Sequence, residues 1–421
     1  MLIAAARLFD GRADSIVEDP LIEVAAGRIV NVTRRDDCTG NSDVIDLGDV
    51  TVLPGLIDVH QHLAFDASND PVSHLADVDD ATLLLRMRLA ALRALAGGVT
   101  TIRDLGDRNY VSLTLRDWFR STAEVGPTIL TSGPPITVTG GHCWFLGGEA
   151  DGEEGVREAV RAHAARGVDL IKIMATGGNM TPSLGPHESQ FTATELATAA
   201  QTAHAHGLKI AAHAHGGQGI ADAMAAGVDS IEHCTFFTAD GVDADPDVIA
   251  ELGRRHTVVS VTFGSIPGST TPYPAIAKRL AAIQANHAAL HRAGARIVCG
   301  TDAGVGPNKP HDVLRYGVSA LPAIGLSNAQ ALRANTSVAA DICGVGDRKG
   351  SISAGKDADI IAVPGNPLDD ISCIQEVRAV VVAGNRVDFA SERLVEAVAA
   401  AGPGPPEPGR SAPPLIDSLR S

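Results

Sequence analysis

The feature that most constrains the fold of this chain is a regular alternation of short apolar segments with longer Ala- and Leu-rich segments. The short segments are rich in β-branched residues and end in small or polar residues, which is typical of buried strands. The predicted strands are residues 56–60, 99–104, 128–132, 170–174, 209–213, 230–233, 258–262 and 296–300. The predicted helices are residues 80–96, 153–166, 194–206, 217–226, 246–255 and 274–293, with a further helix over 326–343.

Strands that alternate with helices in this way predict an α/β fold, a parallel (β/α)₈ or TIM barrel. An open, doubly wound sheet is the alternative, but the glycine fingerprint that follows the first strand of such a sheet is missing here. Aromatic residues make up only 3% of the chain while hydrophobic residues make up 45%. We therefore expect a core built mainly from aliphatic side chains and alanine.

The two ends of the chain have shorter strand patterns, joined by turns rich in Gly and Asp. We expect residues 1–53 and 350–400 to form one small β-sandwich domain together, and residues 54–349 to form the barrel. Residues 401–421 are rich in Pro and Gly, so we expect them to be a flexible tail.

Charge and cysteine content limit the possible partners. The formal net charge of −16 argues against a nucleic acid or an anionic membrane as partner. The six cysteines have no CxxC pair and no regular spacing, which favours reduced thiols over a disulfide framework. The sequence has no signal peptide pattern and no run of about 20 apolar residues. We expect a cytoplasmic homo-oligomer that acts on a small molecule.

Metal-binding side chains lie at the carboxyl ends of several predicted strands. His60 and His62 are two residues apart, so they project from the same side of the first strand. The other candidates are Lys172, His213, His215, His233 and Asp302. One His-x-His pair alone is weak evidence, because such pairs also satisfy ordinary hydrogen bonds. Active sites of barrels lie at these strand ends, however, so the whole set predicts a metal site.

Lys172 is a lone lysine in an apolar strand. A buried ammonium without a partner costs several kcal/mol, and burial lowers the pKa of a lysine, which makes it a nucleophilic amine. Such an amine can add CO₂ and become a carbamate, an anionic ligand whose oxygens can bridge two cations. The alternative is a lysine that reaches a carboxylate.

Several segments resemble the amidohydrolase superfamily, and the order of the candidate ligands over the strands resembles it too. The segments are RLFDG at 7–11, LPGLIDVH at 53–60 and SISAGKDAD at 351–359. Other segments resemble its imidazolonepropionase-like and prolidase-like (Xaa-Pro dipeptidase-like) branch. These are GGH at 140–142, KIMATGG at 172–178, QFT at 190–192 and AHAHG at 212–216.

The resemblance implies two divalent metal ions, and it assigns ligands to each. The implied ligands are His60, His62 and Asp302 for the first ion, His213 and His233 for the second, and carboxylated Lys172 as the bridge. The spacing of His213 and His215 does not decide between them. The resemblance favours His213 and leaves His215 to contact the substrate. Zinc suits imidazole and carboxylate ligands, although manganese, cobalt or iron could occupy the same site.

The resemblance also implies a mechanism. Two cations that share a water would lower its pKa from about 15.7 toward neutrality and give a metal-bridging hydroxide. Asp302 would pass a proton to the leaving nitrogen. His142 resembles the family's carbonyl-binding histidine, which would stabilise the oxyanion. The alternative for His142 is a loop histidine flanked by glycines.

The expected activity is metal-dependent hydrolysis of an amide bond in a peptide or an N-acyl amino acid, as in a dipeptidase. The alternatives are a cyclic imide, lactone or carbamate hydrolysed on the same site, or a non-catalytic homologue, which would usually have lost metal ligands. A dipeptidase needs a group for the substrate carboxylate. Arg315 and Tyr316 are the candidate substrate-binding residues, whereas Arg103 is better explained by a structural ion pair.

Overall fold

The computed structural model describes residues 1–35, 44–181, 184–269 and 274–387. The amino-terminal strands are β1 (Leu2–Ala4), β2 (Arg7–Leu8), β3 (Val17–Glu18), β4 (Pro20–Ala25), β5 (Arg28–Arg34), β6 (Val44–Asp46) and β7 (Val50–Pro54).

The alternating region follows β7. It contains β8 (Leu56–Gln61), α1 (Pro71–Ala76), α2 (Asp80–Ala96), β9 (Val99–Asp104), α3 (Val111–Ser121), β10 (Thr128–Thr131), α4 (Gly152–Arg166), β11 (Leu170–Met174), α5 (Ala193–Ala205), β12 (Lys209–Gly216), α6 (Gly217–Ala226), β13 (Ser230–Phe237), α7 (Pro246–Arg254), β14 (Val258–Thr262), α8 (Pro274–Arg292), β15 (Arg296–Gly300) and α9 (Leu314–Ala320). The chain then continues with α10 (Asn328–Ala334), α11 (Ser337–Ile342), β16 (Ile360–Pro364), β17 (Ala379–Val382) and β18 (Asn385–Arg386).

The strands of the alternating region pair in parallel. In the described residues, β10, β9 and β8 form one sheet, and β11 to β15 form a second sheet in chain order. Isolated parallel bridges link the edges of these sheets, between Gln61 and Ala303 at one side and between Ile136 and Ile173 at the other. The predicted α/β class and its predicted strands are confirmed.

Strands from both chain ends share a sheet. In the described residues, one sheet has the order β5-β4-β1-β6 and another has the order β18-β17-β16-β7-β2-β3. Pairing of β16 with β7 brings the returning chain onto the amino-terminal strands. The chain from Met1 to Val387 forms one compact unit, so the division into residues 1–53 with 350–400 and 54–349 stays a prediction. The predicted tail, 401–421, lies outside the described residues.

The helix predicted over 326–343 is wrong as a single helix, because it breaks between α10 and α11. Thr336 has φ −127° and ψ −97°, which are not helical. The amide of Asn335 donates to the carbonyl oxygens of Ile57 and Cys299, at 3.2 Å and 2.6 Å. The backbone carbonyl of Asn335 accepts from the N–H of Ile57 at 2.8 Å. The break therefore lets Asn335 join β8 to β15, which an unbroken helix would prevent.

Within the described residues, the helices fall short of the length and apolar character that crossing a membrane requires. The predicted cytoplasmic location and the predicted homo-oligomer stay predictions.

Candidate metal centre

A cavity of about 570 Å³ lies at the carboxyl ends of the parallel strands. All the predicted metal-binding and catalytic side chains line it. The predicted residues in its lining are His60, His62, His142, Lys172, His213, His215, His233, Asp302 and Tyr316. The fold therefore brings side chains from distant parts of the sequence into one space.

His60, His62 and Asp302 form the first donor cluster, at the ends of β8 and β15. Nε2 of His60 lies 3.2 Å from Nε2 of His62, and Oδ1 of Asp302 lies 3.5 Å and 3.3 Å from these nitrogens. Ligand atoms that share a zinc ion at about 2.0–2.2 Å lie roughly 3–3.5 Å apart. The spacing of this cluster therefore fits a shared divalent cation.

The outer ring nitrogens of both histidines are hydrogen-bonded, which orients the rings. Nδ1 of His60 lies 2.9 Å from Oε2 of Glu232, and it donates, because an ionised carboxylate can only accept. Nδ1 of His62 lies 3.5 Å from the carbonyl oxygen of Gly106 and donates in the same way. Each Nε2 atom consequently keeps its lone pair for a cation.

His213, His215 and His233 form the second donor cluster, at the ends of β12 and β13. One nitrogen of each lies within 4.8 Å of the others. Nε2 of His213 donates to the carbonyl oxygen of Gly177 at 3.0 Å, which leaves its Nδ1 as an acceptor. Nδ1 of His233 lies 3.0 Å from the hydroxyl of Thr262. The structure brings both His213 and His215 to this cluster, so the choice between them as ligand stays a prediction.

Lys172 is 1% exposed, and its Nζ has no hydrogen-bond partner among the described residues. An ion pair with a carboxylate, the alternative drawn from the sequence, is likewise absent from that part of the chain. Burial lowers the pKa of Lys172 to about 8, although the charges of Glu232 and Asp302 oppose this. A buried ammonium without partners is costly, so the amine fits a state in which it is neutral or carries an added acidic group.

Burial also favours the neutral form of four of these histidines, His60, His213, His215 and His233. It lowers the pKa of His60 to about 4 and the pKa of His215 to about 3, and the pKa values of His213 and His233 fall well below the usual range. Burial acts to raise the pKa of Asp302, but the hydrogen bond and charge of His62 and the charge of His60 hold it well below its usual range. Neutral imidazoles and an ionised carboxylate are the forms that bind metals.

His142 lies in the loop between β10 and α4. Its Nδ1 lies 3.3 Å from the hydroxyl of Thr181, and its ring centroid lies 4.7 Å from that of His213. A Cβ on Gly178 would lie 2.3 Å from Nε2 of His142, so only glycine permits this approach. The ring is therefore held beside the second donor cluster by the loop after β11.

The sequence matches the model of the Amidohydrolase family over residues 51–387, which is most of the chain. This chain belongs to the amidohydrolase family. It is a hydrolase of that superfamily, and its family and structural relatives imply a TIM barrel with a small additional domain.

Named relatives fall in the branch that the sequence predicted. An ochratoxinase of Aspergillus niger is 31% identical over 372 residues, which cover 78% of this chain and 73% of that protein. An imidazolonepropionase of Deinococcus radiodurans is 27% identical over 391 residues, covering 85% and 88%. A solved Xaa-Pro dipeptidase with methionine bound in its active site is 30% identical, with a TM-score of 0.81, and the match covers 92% of this chain and 99% of that one. The predicted imidazolonepropionase-like and prolidase-like branch is confirmed.

The network behind His60 in this amidohydrolase was not predicted. Oε1 of Glu232 accepts from Arg103 at 2.8 Å and from the hydroxyl of Ser230 at 2.6 Å, while its Oε2 accepts from His60. Burial acts to raise the pKa of Glu232, but the charge of Arg103 and the hydrogen bond of His60 hold it well below its usual range. Arg103 therefore has the structural ion pair that the sequence favoured. The sequence feature that could have indicated the role of Glu232 is its position next to the predicted ligand His233.

Strained backbone explains how Glu232 and His233 can both reach the interior. Adjacent residues of a regular strand point to opposite faces, but His233 and Cys234 have positive φ values of 68° and 50°, which breaks the alternation. Asp302 also has a positive φ, 58°. Each such residue costs about 1–3 kcal/mol and persists where the surroundings hold it, often at functional sites.

The two predicted substrate-binding residues after β15 lie in different surroundings. Tyr316 lines the cavity, whereas Arg315 does not belong to its lining. The guanidinium of Arg315 donates to Asp312 at 2.8 Å and to the carbonyl oxygen of Gln375 at 3.4 Å. These partners fix the orientation of Arg315, and its role as a substrate-binding residue stays a prediction. Lys309, which sequence reasoning overlooked, lines the cavity instead.

Proposed function

We propose that this amidohydrolase is a binuclear metal-dependent hydrolase that cleaves the amide bond of a dipeptide or an N-acyl amino acid. The observation that carries the proposal is the set of two donor clusters in one cavity that also contains the unpartnered Nζ of Lys172. A structural relative supports this substrate class, since it is a Xaa-Pro dipeptidase with methionine bound in its active site.

The donor set fits two divalent cations. We assign His60, His62 and Asp302 to the first cation and His213 and His233 to the second. Neutral imidazoles with one carboxylate suit zinc, although manganese, cobalt or iron would also be accepted. When bound, the cations would polarise the scissile carbonyl and lower the pKa of a shared water.

Lys172 would complete this donor set as a carbamate. Its amine nitrogen would attack the carbon of CO₂ and lose a proton, which converts a costly buried cation into an anion. A pKa of about 8 leaves a useful fraction of the amine neutral for this step at neutral pH. The anion would offset part of the charge of both cations, which explains why no carboxylate of the described residues pairs with Lys172.

Asp302 would transfer the proton, and His142 would stabilise the negative charge that develops on the substrate. Asp302 belongs to the first donor cluster as an ionised carboxylate, so it could take a proton from the attacking water and give it to the leaving nitrogen. His142 lies beside His213 and is neutral because burial lowers its pKa to about 3. A neutral imidazole N–H can donate to the oxyanion that develops on the carbonyl. His215 and Tyr316 line the remaining space and would contact the substrate.

We also propose that the parallel sheets close into a single barrel, with a separate β domain built from both chain ends. The bridges at both edges support the closure, and the pairing of β16 with β7 supports the shared domain.

The test combines metal analysis with a substrate panel. Protein purified with zinc present should hold about two divalent ions per chain, lose activity to a chelator and regain it on addition of zinc or manganese. Dipeptides and N-acyl amino acids should be hydrolysed faster than lactones, cyclic imides and carbamates of similar size. Protein without metal would reject the binuclear centre, and activity restricted to lactones, imides or carbamates would reject the substrate class.

A further inference from the structure

Lys309 is a second lysine in the cavity lining, and the proposed mechanism does not use it. Its Nζ donates to the carbonyl oxygens of Thr262 and Thr301, at 3.1 Å and 2.5 Å. These carbonyls belong to the end of β14 and to the residue before Asp302. An ammonium group has three hydrogens to donate, so the two carbonyls leave one for a ligand in the cavity.

The charges of the cavity lining single out Lys309. Among the described lining residues, the ammonium groups are those of Lys172 and Lys309, and the carboxylate is that of Asp302. Lys172 loses its positive charge in the proposed carbamate. Lys309 is then the cation of this lining that can attract an anionic group of the substrate.

The position of Lys309 indicates which part of the substrate it meets. Asp302 gives its proton to the leaving nitrogen, and Lys309 is bonded to the carbonyl of Thr301, the residue directly before Asp302. We therefore place Lys309 on the leaving side of the scissile bond. In an amide of an α-amino acid, a single carbon separates the leaving nitrogen from the carboxylate, so a carboxylate on this side is close to the ammonium.

The wall beside Lys309 is apolar. The connection from β14 to β15 contributes Phe263, Ile276, Leu280 and Ile283 to the cavity lining. The polar residues that this connection adds to the described lining, such as Gln284, are uncharged. Because the same two strand ends hold Lys309, an amino acid bound through its carboxylate would place its side chain against this wall. An apolar side chain gains by burial there, while a charged one would lose hydration without a partner.

We propose that Lys309 binds the α-carboxylate of the amino acid that leaves, and that the adjoining wall selects an apolar side chain. This inference rests on the proposed function and narrows it. The substrates are N-acyl derivatives of apolar α-amino acids with a free carboxylate, including dipeptides with an apolar carboxyl-terminal residue.

The first test needs only the wild-type, metal-loaded enzyme. N-acetyl-L-leucine and N-acetyl-L-leucinamide differ in the carboxylate alone. The acid should be hydrolysed with a kcat/KM about 10- to 100-fold higher, the range for one charge-assisted contact. N-acetyl-L-glutamate, with the same carboxylate but a charged side chain, should be a poor substrate. Equal hydrolysis of the acid and the amide would overturn the inference and leave the proposed function standing.

Substitutions then assign the effect to Lys309. Lys309→Met should raise the KM for N-acetyl-L-leucine by about 10- to 100-fold and affect the hydrolysis of the leucinamide much less. Lys209→Met is the matched control, because Nζ of Lys209 also donates to a backbone carbonyl, that of Asp341 at 3.0 Å, but at the amino end of β12. It should change neither substrate. An equal loss for both substrates in Lys309→Met would mean that Lys309 only holds the two carbonyls in place.

Binding of the free amino acid separates this inference from the proposed function. Calorimetry should detect L-leucine but not L-leucinamide binding to the metal-loaded wild type, and Lys309→Met should lose the leucine signal. Loss of that signal supports the carboxylate site even in a preparation that hydrolyses no amide, a result that would reject the proposed function alone. Leucine binding that is unchanged in Lys309→Met would overturn the inference.

Discussion

The donor clusters of this amidohydrolase use similar side chains but are held in different ways. In the first, His60 is oriented by Glu232, which is itself paired with Arg103, and Asp302 adds a negative charge. The second consists of imidazoles alone. Its rings are held by hydroxyls and a carbonyl, and His215 is stacked between His233 and Phe237, with centroids 4.5 Å and 5.0 Å away.

Because of this difference, metal binding at the two clusters depends on different neighbouring residues. The first cluster contains the carboxylate of Asp302, and its His60 is bonded to the ion pair of Glu232 and Arg103. The carboxylate of Asp302 would therefore offset part of the charge of a bound dication. The second is neutral and lacks such an ion pair among the described residues. A dication there would depend on the anion that Lys172 is proposed to become, so we expect the second cluster to lose its metal first.

Removal of Lys172 is the sharpest test of this asymmetry. Lys172→Ala should lower kcat by about 10³-fold or more, equivalent to about 4 kcal/mol of barrier, because the bridging anion is lost. Elemental analysis should show that one ion per chain is lost preferentially. Acetate or propionate at high concentration should restore part of the activity, whereas neutral amides of the same size should not. A variant with full metal content and near wild-type turnover would show that Lys172 is only a packed core residue.

Substitution of His142 should break catalysis without disturbing either cluster. His142→Ala is expected to lower kcat by roughly 10²–10³-fold, the scale for one lost oxyanion donor, with metal content unchanged. Steady-state kinetics with elemental analysis of the same preparation check this. If metal is lost along with activity, His142 belongs to the second cluster as a ligand.

Substitution of Glu232 should weaken the first cluster and spare the second. Glu232→Gln keeps the size of the side chain but removes the charge that faces His60 and Arg103. We expect metal affinity at the first cluster to fall by about 10–100-fold, and the unfolding temperature should fall because the charge of Arg103 is left buried without a counter-charge. Competition with a chelator would resolve the two affinities. Equal weakening of both ions would contradict the separation of the clusters.

The smallest effect is expected from the hydroxyl behind His233. Thr262→Val removes one neutral hydrogen bond of the second cluster, worth about 1 kcal/mol, so metal affinity there should fall only about fivefold. The same chelator titration measures it, with Glu232→Gln as the counterpart on the first cluster. A loss as large as that of Glu232→Gln would show that both clusters are held equally firmly.

Much of the fold and of the candidate site could be predicted because the signals are local. The period of apolar residues marks each strand and helix, and the strand ends point to residues such as His60 and Lys172. Errors arose where a distant contact overrides the local pattern. The helix predicted over 326–343 breaks because Asn335 binds strands far away in sequence.

The sequence by itself determined the alternation of strands and helices, the family, and the residue types at the strand ends, because periodicity and motifs are read from neighbouring positions. Only the tertiary structure decided the partners of those residues. Glu232 lies 172 positions from His60, and Lys309 reaches a carbonyl 47 positions away. Such contacts depend on the register and twist of strands that meet only after folding, so no local pattern specifies them.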